Sequence, residues 1–291
     1  MTFCHYIITR FNLPLSSRKD GDKDVCGKEY LSYRSDLFER FCMPSVVNQS
    51  CQDFRWLILF DINTPEEFKQ RAEGWHNIYP NLIPCYLDTS KYGDLKDHGD
   101  PVFDVENDGP MLRITERFVT EIIRSMEETM PEWVLTTRLD NDDALHREFV
   151  SFIQTRFSFH PERKEYDLVY SYKYVPDEKI VYRYPLKNGH FMTLAEQGDS
   201  AFRSVMFCNH LEMDKYVRAE HIYARPLQTE LIHGGNVVNG YTDLSISGLW
   251  YALLRFRRRD FAYETADYSR LKALWMIGSL VKHRIIRKWE N

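Results

Sequence analysis

The sequence of 291 residues is poor in cysteine and has no long hydrophobic run. Its six cysteines are scattered with no Cys-x-x-Cys pair, which is typical of free thiols in a reducing cytoplasm. The longest strongly apolar window, residues 56–60, is far too short to span a bilayer, and residues 1–11 lack the pattern of a secretion signal. We therefore expect a cytoplasmic protein that is neither secreted nor transmembrane.

The chain also lacks an excess of basic residues, because its formal net charge is −5 and its isoelectric point is near 6.1. This balance argues against a general nucleic-acid binder, although it excludes few other partners. Hydrophobic residues make up 43% of the chain and aromatic residues 14%, which is enough to build the core of one large domain. We find neither a repeat nor a low-complexity tract.

The first half of the chain alternates predicted strands with predicted helices. Strands are expected at 3–11, 54–60, 82–87 and 133–137, and helices at 30–48, from 64 onward and at 111–129. This order predicts an α/β domain with a parallel sheet and right-handed crossovers.

The second half changes character after residue 150. Short tyrosine-rich strands are expected at 168–174, 180–184 and 191–194, and Asn188-Gly189 is a strong hairpin signal. This half therefore looks antiparallel. We expect one domain over residues 1–240 and a C-terminal helical extension, packed on that domain, over residues 241–291.

Three carboxylates follow the strand at 133–137, at Asp140, Asp142 and Asp143. In open α/β sheets ligands bind beyond the carboxyl ends of the strands, and clustered carboxylates repel one another unless a cation or protons neutralise them. A hard divalent ion is the natural partner, and removing one carboxylate is not expected to unfold the chain. The alternative for Asp143 is an N-cap on a helix that the pattern predicts from Ala144 onward.

Four stretches resemble the rhamnosyltransferase family, which is similar in turn to glycosyltransferases of the GT-A fold. They are HYIITRFNL, LFERFCMPSVVNQS, DFRWLILFD and TTRLDNDDAL, the last being the most specific. The resemblance, which covers roughly residues 3–236, implies a GT-A-like, Rossmann-type nucleotide-binding half with a mixed central sheet, then an acceptor half and C-terminal helices. It also implies a nucleoside diphosphate sugar donor, with rhamnose as the sugar suggested by the family name, and a glycan or lipid-linked acceptor.

The same resemblance implies a site for Mn²⁺ or Mg²⁺ on the donor diphosphate, where such an ion would stabilise the negative charge of the leaving group. Asp140 would face the metal or the ribose, Asp142 would be a metal ligand, and Asp143 would act on the sugar. His233 would be a further ligand, with His210 as the competing choice. The alternative for either histidine is a hydrogen-bonded loop residue.

The strand ends of the first half are where the nucleotide is expected. Thr9 and Arg10 end the first strand and Asp61 ends the second, while Arg113 or Arg138 could pair with a phosphate. The alternatives are a helix cap for Asp61 and structural ion pairs for the arginines.

An inverting transferase needs a general base from the acceptor half, whereas a retaining one does not. Glu196 and Asp199 are candidates because they follow a predicted strand, and Glu212 and Asp214 are others. Each of these acids is also explained as a solvated surface residue.

Two other functions fit parts of the pattern. A metal-dependent phosphatase or nucleotidyltransferase also uses paired aspartates at strand ends, but the early nucleophilic aspartate or glycine-rich phosphate loop that such enzymes carry is missing here. A non-catalytic carbohydrate-binding protein is suggested by the tyrosines and tryptophans of the second half, and would bind glycan without metal or nucleotide.

The C-terminal stretch 271–289 combines apolar and basic residues with no acid before Glu290. It predicts a basic amphipathic helix of the kind that lies on an anionic membrane surface, with Trp275 and Trp289 as interfacial anchors. Such a helix would place the protein peripherally at the inner membrane face. The alternative is a terminal helix that packs its apolar face on the domain.

Overall fold

The computed structural model of the protein describes residues 1–13, 24–96, 109–233, 244–263 and 267–289. Its strands are β1 (Phe3–Arg10), β2 (Arg55–Asp61), β3 (Leu82–Leu87), β4 (Trp133–Arg138), β5 (Ala144–Leu145), β6 (Lys164–Leu168), β7 (Tyr170–Val175), β8 (Ile180–Pro185), β9 (Thr193–Gln197), β10 (Ala219–Ile222) and β11 (Gln228–Leu231). Its α-helices are α1 (Lys28–Leu37), α2 (Met43–Val47), α3 (Glu66–Ile78), α4 (Gly109–Met126), α5 (Phe149–Phe159), α6 (Ile246–Arg255) and α7 (Arg270–Trp289). A π-helical turn, Phe38–Cys42, joins α1 to α2, and short 3-10 helices cover Thr89–Lys96, His210–Lys215 and Arg258–Phe261.

The main sheet has seven strands in the order β10-β6-β9-β4-β1-β2-β3. β1, β2, β3 and β4 are mutually parallel, whereas β9 is antiparallel to both β4 and β6. The predicted α/β fold with a mixed central sheet is therefore confirmed. All carboxyl ends of β1 to β4 meet at one edge, with β9, β6 and β10 extending the sheet beyond β4.

Alternating side chains of the central strands build a core on each face of this sheet. On one face Ile7 and Trp56 pack with Phe38 and Trp75. On the other face a second cluster forms, in which Ile8 and residues of α4 take part. Since both faces are covered by helices, the central strands can be apolar throughout, as buried parallel strands usually are.

The helix predicted from Thr64-Pro65 is α3. Pro65 occupies the N-cap position and Glu66 and Glu67 lie in the first turn, where the helix dipole favours acids. The helix buries Phe68, Ala72 and Trp75 against the sheet and so fixes the crossover from β2 to β3.

A second sheet, of order β5-β11-β7-β8, is mixed: β5 with β11 and β7 with β8 are antiparallel, as the sequence predicts, whereas β11 runs parallel to β7. β7 and β8 form a hairpin whose turn places Lys179 at a φ of 52°. The hairpin predicted at Asn188-Gly189 is wrong, because the strands on either side, β8 and β9, belong to different sheets. Asn188 does adopt the left-handed conformation of a turn, with a φ of 54°, which asparagine tolerates.

The helix predicted from Ala144 begins later, at Phe149, with Glu148 as its N-cap residue. Ala144 and Leu145 form β5 instead, because Ala144 pairs with Thr229 of β11 and the Leu145 amide donates to Ser45 Oγ at 3.1 Å. Tertiary hydrogen bonds thus override the local helical pattern.

The C-terminal helices lie on the second sheet. α6 packs on β8, and α7 packs on both α6 and β8. They share an apolar cluster with the hairpin, to which α6 contributes Leu249, α7 contributes Ile277, and β8 contributes Ile180 and Tyr182. Within the described residues, no helix has the length and apolarity needed to cross a bilayer.

Candidate functional site

The acidic cluster lies just beyond β4, at the edge where the parallel strands end. Two hydrogen bonds fix it to the end of β1: the Leu139 amide donates to the Ile8 carbonyl oxygen at 3.0 Å, and Asn141 Nδ2 donates to the Phe11 carbonyl oxygen at 3.0 Å. Asn141, Asp142 and Asp143 are all buried. The predicted position at a strand's carboxyl end is confirmed.

Asp142 is held from two sides. Arg34 Nη1 of α1 donates to its Oδ2 at 2.8 Å, and His233 Nε2 lies 2.8 Å from the same oxygen. His233 Nδ1 is in turn 2.7 Å from the Tyr33 hydroxyl. The structure therefore places His233 next to Asp142, the two residues that the family resemblance names as metal ligands, and His233 and the partly buried Arg34 each make a hydrogen bond to Asp142 Oδ2.

The Asp143 side chain points away from Arg34 and His233, toward His190 and β11. Its Oδ2 lies 2.9 Å from His190 Nε2, and its Oδ1 accepts from the Leu231 amide at 2.9 Å. Asp143 is therefore not a helix cap. Burial, together with the charge of Asp142, raises the pKa of Asp143 to about 6.

Asp140, Asp143 and His190 form a possible ligand set for a metal ion. Each offers one ligand atom, and the three atoms lie within 4.8 Å of one another. Burial raises the pKa of Asp140, but Arg138, His190 and Arg10 outweigh that effect and hold its pKa below its ordinary value. Two carboxylate oxygens and an imidazole suit a divalent ion that keeps further positions for phosphate or water.

A further buried acid, Glu230 of β11, lies behind this set. Its Oε1 is 3.9 Å from His190 Nδ1, and its Oε2 is 3.9 Å from Lys173 Nζ. Burial first, and then the charge of Asp143, raises the pKa of Glu230 to about 8. The site thus holds two buried carboxyl groups, those of Asp143 and Glu230, whose ionised form is unfavourable without a further cation or a proton.

The residues predicted to contact the nucleotide are placed differently from one another. Arg10, at the end of β1, is close enough to act electrostatically on Asp140. Asp61 is buried at the same sheet edge, but its Oδ1 accepts from the Asn63 amide at 2.7 Å and so stabilises the turn before α3. Thr9 points into the core, where its hydroxyl accepts from Trp56 Nε1 at 2.9 Å. The Thr9 side chain is therefore not brought to the site.

The two predicted phosphate-binding arginines also differ. Arg138 Nη1 is 3.0 Å from His210 Nδ1 and its Nη2 is 3.4 Å from Asp140 Oδ1, so it is an ion-pair partner of the cluster. Burial first, and then the charge of Arg138, lowers the pKa of His210 to about 2. Arg113 lies near the start of α4, which in a β-α-β crossover is directed toward the same sheet edge.

The candidate bases Glu196 and Asp199 lie at the opposite edge. Glu196 is paired in register with Val134, near the start of β4, and Arg163 Nε donates to its Oε1 at 2.8 Å. Asp199 Oδ1 accepts from the Ala201 amide at 2.7 Å and closes a turn. The structure does not bring either acid to the acidic cluster.

The other two acids named as bases belong to the 3-10 helix His210–Lys215. Glu212 is paired with Lys215, at 2.5 Å, in the 3-10 helix that begins at His210. Asp214 Oδ2 accepts from Asn188 Nδ2 at 3.0 Å. Asn188 is two residues before His190, so Asp214 is connected to the site through this loop.

Sequence reasoning missed Arg34, His190 and Glu230. The one local signal near His190 was the turn dipeptide Asn188-Gly189, which directly precedes it in the sequence. Arg34 and Glu230 are separated from the acidic cluster by about a hundred residues of sequence, and no local pattern distinguishes them from ordinary helix and strand residues.

A groove of about 910 Å³ lies elsewhere, along the outer face of α5. Phe152, Arg156 and Phe159 of α5, together with Arg225 and Asp260, contribute to its walls. Its lining comes from this helix and its neighbours rather than from the acidic cluster.

Comparison with known families gives one match. Residues 8–97 match the family model described as "Putative rhamnosyl transferase". The resemblance seen in the sequence is thereby confirmed over this stretch, which runs from β1 to the segment after β3. A search of the curated proteins gave no match.

Comparison with solved structures gives similar chains at low identity. S. aureus TarS 1-349 is 11% identical, with 79% of this chain and 60% of that chain covered and a TM-score of 0.41, so this chain spans about 60% of that structure's length. The same protein in complex with UDP-GlcNAc is 12% identical, with 94% and 69% covered and a TM-score of 0.43. A protein from Desulfovibrio desulfuricans G20 described as "putative nucleotide-diphospho-sugar transferase" is 8% identical, with 97% of each chain covered and a TM-score of 0.39.

Proposed function

We propose that the protein is a glycosyltransferase that moves a sugar from a nucleoside diphosphate sugar to a glycan or lipid-linked acceptor. The observation that carries the proposal is the group Asp140, Asp143 and His190 at the carboxyl edge of the parallel strands, flanked by Arg10 and Asp61 at the ends of β1 and β2. The family match over residues 8–97 supports the reaction class and makes rhamnose the first sugar to test.

Glycosyl transfer breaks the bond between the anomeric carbon and the diphosphate, which leaves with the electron pair. A Mn²⁺ or Mg²⁺ ion bound at the acidic cluster would supply the positive charge that stabilises this leaving group. Arg10 and Arg138 lie beside Asp140 and add cationic charge at the same edge. Asp61, if it takes part, would accept from a base N–H in addition to stabilising its turn.

Two sets of residues could hold the ion, and they share Asp140. One set is Asp140, Asp143 and His190; the other, suggested by the sequence, is Asp140, Asp142 and His233. Mn²⁺ binding followed by electron paramagnetic resonance separates them, because this readout does not depend on turnover. His190→Ala weakens Mn²⁺ binding if the first set is the ligand set, whereas His233→Ala does so if the second is.

The donor test is a thermal-shift screen of UDP-, GDP- and dTDP-sugars with and without Mn²⁺, followed by turnover assays. We expect one donor class to raise the melting temperature in the presence of Mn²⁺ and to release its nucleoside diphosphate. Equal turnover in excess chelator would contradict the metal assignment. Release of inorganic phosphate would favour a phosphatase, and glycan binding with no response to nucleotide or metal would favour a non-catalytic carbohydrate-binding protein.

The proposed contribution of Asp61 to donor binding has its own test. Asp61→Ala is expected to weaken nucleoside diphosphate affinity by about 1 to 3 kcal/mol in calorimetry, the usual cost of a lost hydrogen bond to a charged group. Since Asp61 also bonds the Asn63 amide, Asp61→Asn serves as the control that retains an acceptor for that turn. Unchanged affinity in both variants would leave Asp61 with a structural role only.

A further inference from the structure

A further histidine–carboxylate pair lies in the main sheet, outside the acidic cluster. Asp167 of β6 is buried, and its Oδ2 is 2.9 Å from His221 Nδ1 of β10, the neighbouring edge strand. The Asn188 amide donates to the same oxygen at 2.9 Å. The His221 side chain remains 28% exposed, so the imidazole is partly accessible to solvent.

The strand register places this pair at the same edge as the acidic cluster. Tyr166 is level with Thr193, which is level with Thr137, so Asp167 is level with Arg138, the last residue of β4. Because neighbouring strands are separated by about 4.8 Å, the backbone of Asp167 is about 10 Å from that of Arg138 across β9, and the backbone of His221, one strand further, is about 14 Å away. The acidic cluster begins two residues after Arg138.

One loop connects the two sites. Asn188 bonds Asp167 through its amide and Asp214 through its side chain, and His190, two residues later, bonds Asp143. The order of strands then divides the edge: β1 and β2 lie on one side of the acidic cluster, and β9, β6 and β10 lie on the other. If the nucleotide occupies the first side, the second side, where Asp167 and His221 lie, is open to the acceptor.

The chemistry of the pair is that of an oriented base. A carboxylate that accepts the Nδ1–H of an imidazole fixes the tautomer with a free electron pair on Nε2 and stabilises the imidazolium that forms on protonation. The hydrogen bond from the Asn188 amide holds the carboxylate in place. The pair is therefore prepared to remove a proton from a group that binds over β6 and β10.

We propose that His221, positioned by Asp167, is the general base that activates the acceptor hydroxyl. Nε2 of His221 takes the hydroxyl proton while the acceptor oxygen forms a bond to the anomeric carbon. The bond from that carbon to the diphosphate oxygen breaks, and the nucleoside diphosphate leaves with the electron pair. The inference rests on the proposed function, and it specifies an inverting reaction with the acceptor over β6 and β10.

The test compares His221→Ala, His221→Gln and Asp167→Asn with the natural protein. The donor found in the thermal-shift screen is used with a panel of methyl hexosides as acceptors, and release of nucleoside diphosphate is measured. Loss of a general base lowers kcat by about 10²- to 10⁴-fold. We expect that loss in both His221 variants with the donor KM unchanged, partial recovery of His221→Ala on addition of free imidazole, and inversion at the anomeric carbon.

The variant Asp167→Asn tests whether Asp167 orients the His221 imidazole or only stabilises the fold. It is expected to lower kcat less than the His221 variants, to leave donor affinity unchanged and to show no recovery with imidazole, since its histidine is still present. His160→Gln is the matched control, because His160 is exposed at the end of α5 near the opposite edge of the sheet. This control should keep the natural rate.

The outcomes distinguish the two proposals. Natural rates in His221→Ala and His221→Gln, or retention at the anomeric carbon, would overturn the assignment of the base while leaving the glycosyltransferase proposal intact. Weakened donor binding in the His221 variants, with no imidazole rescue, would show that His221 shapes the site without acting as a base. A natural protein that binds no donor and releases no nucleoside diphosphate would overturn both.

Discussion

Asp142 and Arg34 form a buried ion pair, with side-chain exposures of 8% and 14%. Burial alone raises the pKa of Asp142, but Arg34 and the hydrogen bond from His233 lower it below its ordinary value. The same guanidinium also donates to the Asn141 side chain. At the residue scale, the repulsion among the three aspartates is therefore offset by specific cations, and each carboxylate has different partners.

This arrangement changes the expected effect of removing Asp142. We predict that Asp142→Ala abolishes metal-dependent turnover and also destabilises the fold by about 3 kcal/mol, because it leaves a buried arginine without its counter-charge. Asp142→Asn should abolish turnover with a smaller loss of stability, since its amide oxygen still accepts from Arg34. Urea denaturation followed by circular dichroism measures both changes.

The matched control is Asp36→Ala, which breaks the Asp36–Arg71 pair at 3.1 Å in which Asp36 is 65% exposed. Such exposed pairs contribute about 0 to 1 kcal/mol. If Asp142→Ala unfolded at the same urea concentration as the natural protein, relief of carboxylate repulsion would fully offset the lost ion pair, and if it unfolded at a higher one, the repulsion would outweigh the pair.

Glu116 of α4 gives a prediction about pH. Its side chain is buried and accepts from the Ser204 amide at 2.8 Å and from the Ser204 hydroxyl, and burial raises its pKa to about 7. The folded state thus binds this proton more tightly than the unfolded state, so its contribution to stability falls as pH rises from about 4.5 to about 7. A neutral side chain at position 116 should therefore prevent this loss of stability at higher pH.

We therefore predict that Glu116→Gln gains stability relative to the natural protein between pH 5 and pH 8, by roughly 2 to 3 kcal/mol for a shift of this size. Gln retains an acceptor for the Ser204 amide and a donor for its hydroxyl. The measurement is the free energy of unfolding of both proteins at the two pH values, and other titrating groups cancel in the double difference. A difference independent of pH would show that Glu116 is ionised in the fold at pH 5.

At the scale of elements, α7 has features of both alternatives for the C-terminal stretch, a helix packed on the domain and a helix with an exposed apolar and basic face. Ala273 and Ile277 are buried against the second sheet, as in an ordinary terminal helix. Leu271 and Trp275, however, are 80% and 69% exposed. From Arg270 to Lys282 the helix has no acid. The side chain of Trp289, the second predicted anchor, lies outside the described residues.

We predict that this exposed face binds anionic membranes peripherally. Full-length protein should co-sediment with vesicles increasingly as their content of anionic lipid rises, and less so at high salt, because basic residues near such a surface contribute about 1 kcal/mol each. A double variant, Leu271→Ser with Trp275→Ser, should lose this binding. Ile78→Ser is the matched control, since Ile78 is 76% exposed on α3.

Equal pelleting of the double variant and the natural protein would assign any membrane binding to another surface. If neither pelleted at low salt, α7 would have only the structural role that Ala273 and Ile277 already give it. A chain ending at Ser269 provides a second comparison, although it also uncovers the apolar cluster beneath α7.

At the scale of the whole molecule, the second sheet and the C-terminal helices are coupled through Gly248. A Cβ atom at this position of α6 would lie 2.2 Å from the Arg183 carbonyl oxygen of β8, so only glycine permits the observed approach. We predict that Gly248→Ala lowers the free energy of unfolding by about 1 to 3 kcal/mol or more, as overpacking does. Denaturant midpoints measure it.

Gly74→Ala is the control, because a Cβ at Gly74 of α3 meets nothing within 4 Å. It should raise stability by roughly 0.5 to 1 kcal/mol, the usual gain from replacing glycine within a helix. If Gly248→Ala left the midpoint unchanged, α6 would not be packed on β8 in solution, and residues 246–289 would form a separate unit.

The sequence by itself determined the parallel strands, their order along the chain and the acidic cluster at the end of β4. These features are local: apolar runs of strand length, a proline and acids at the start of α3, and the four consecutive polar residues 140–143 can be recognised without knowing their partners in space. The His233–Asp142 contact was also expected, although only through the family resemblance.

Only the tertiary structure decided which side chains share the site. Arg34, His190 and Glu230 meet the aspartates across long stretches of chain, and Glu196 and Asp199 are removed from it because β9 runs antiparallel to β4. Likewise Thr9 faces Trp56 rather than the edge, since alternate residues of a strand point to opposite faces. Strand direction, register and side-chain facing follow from pairings distant in sequence, so the pattern of a single segment does not contain them.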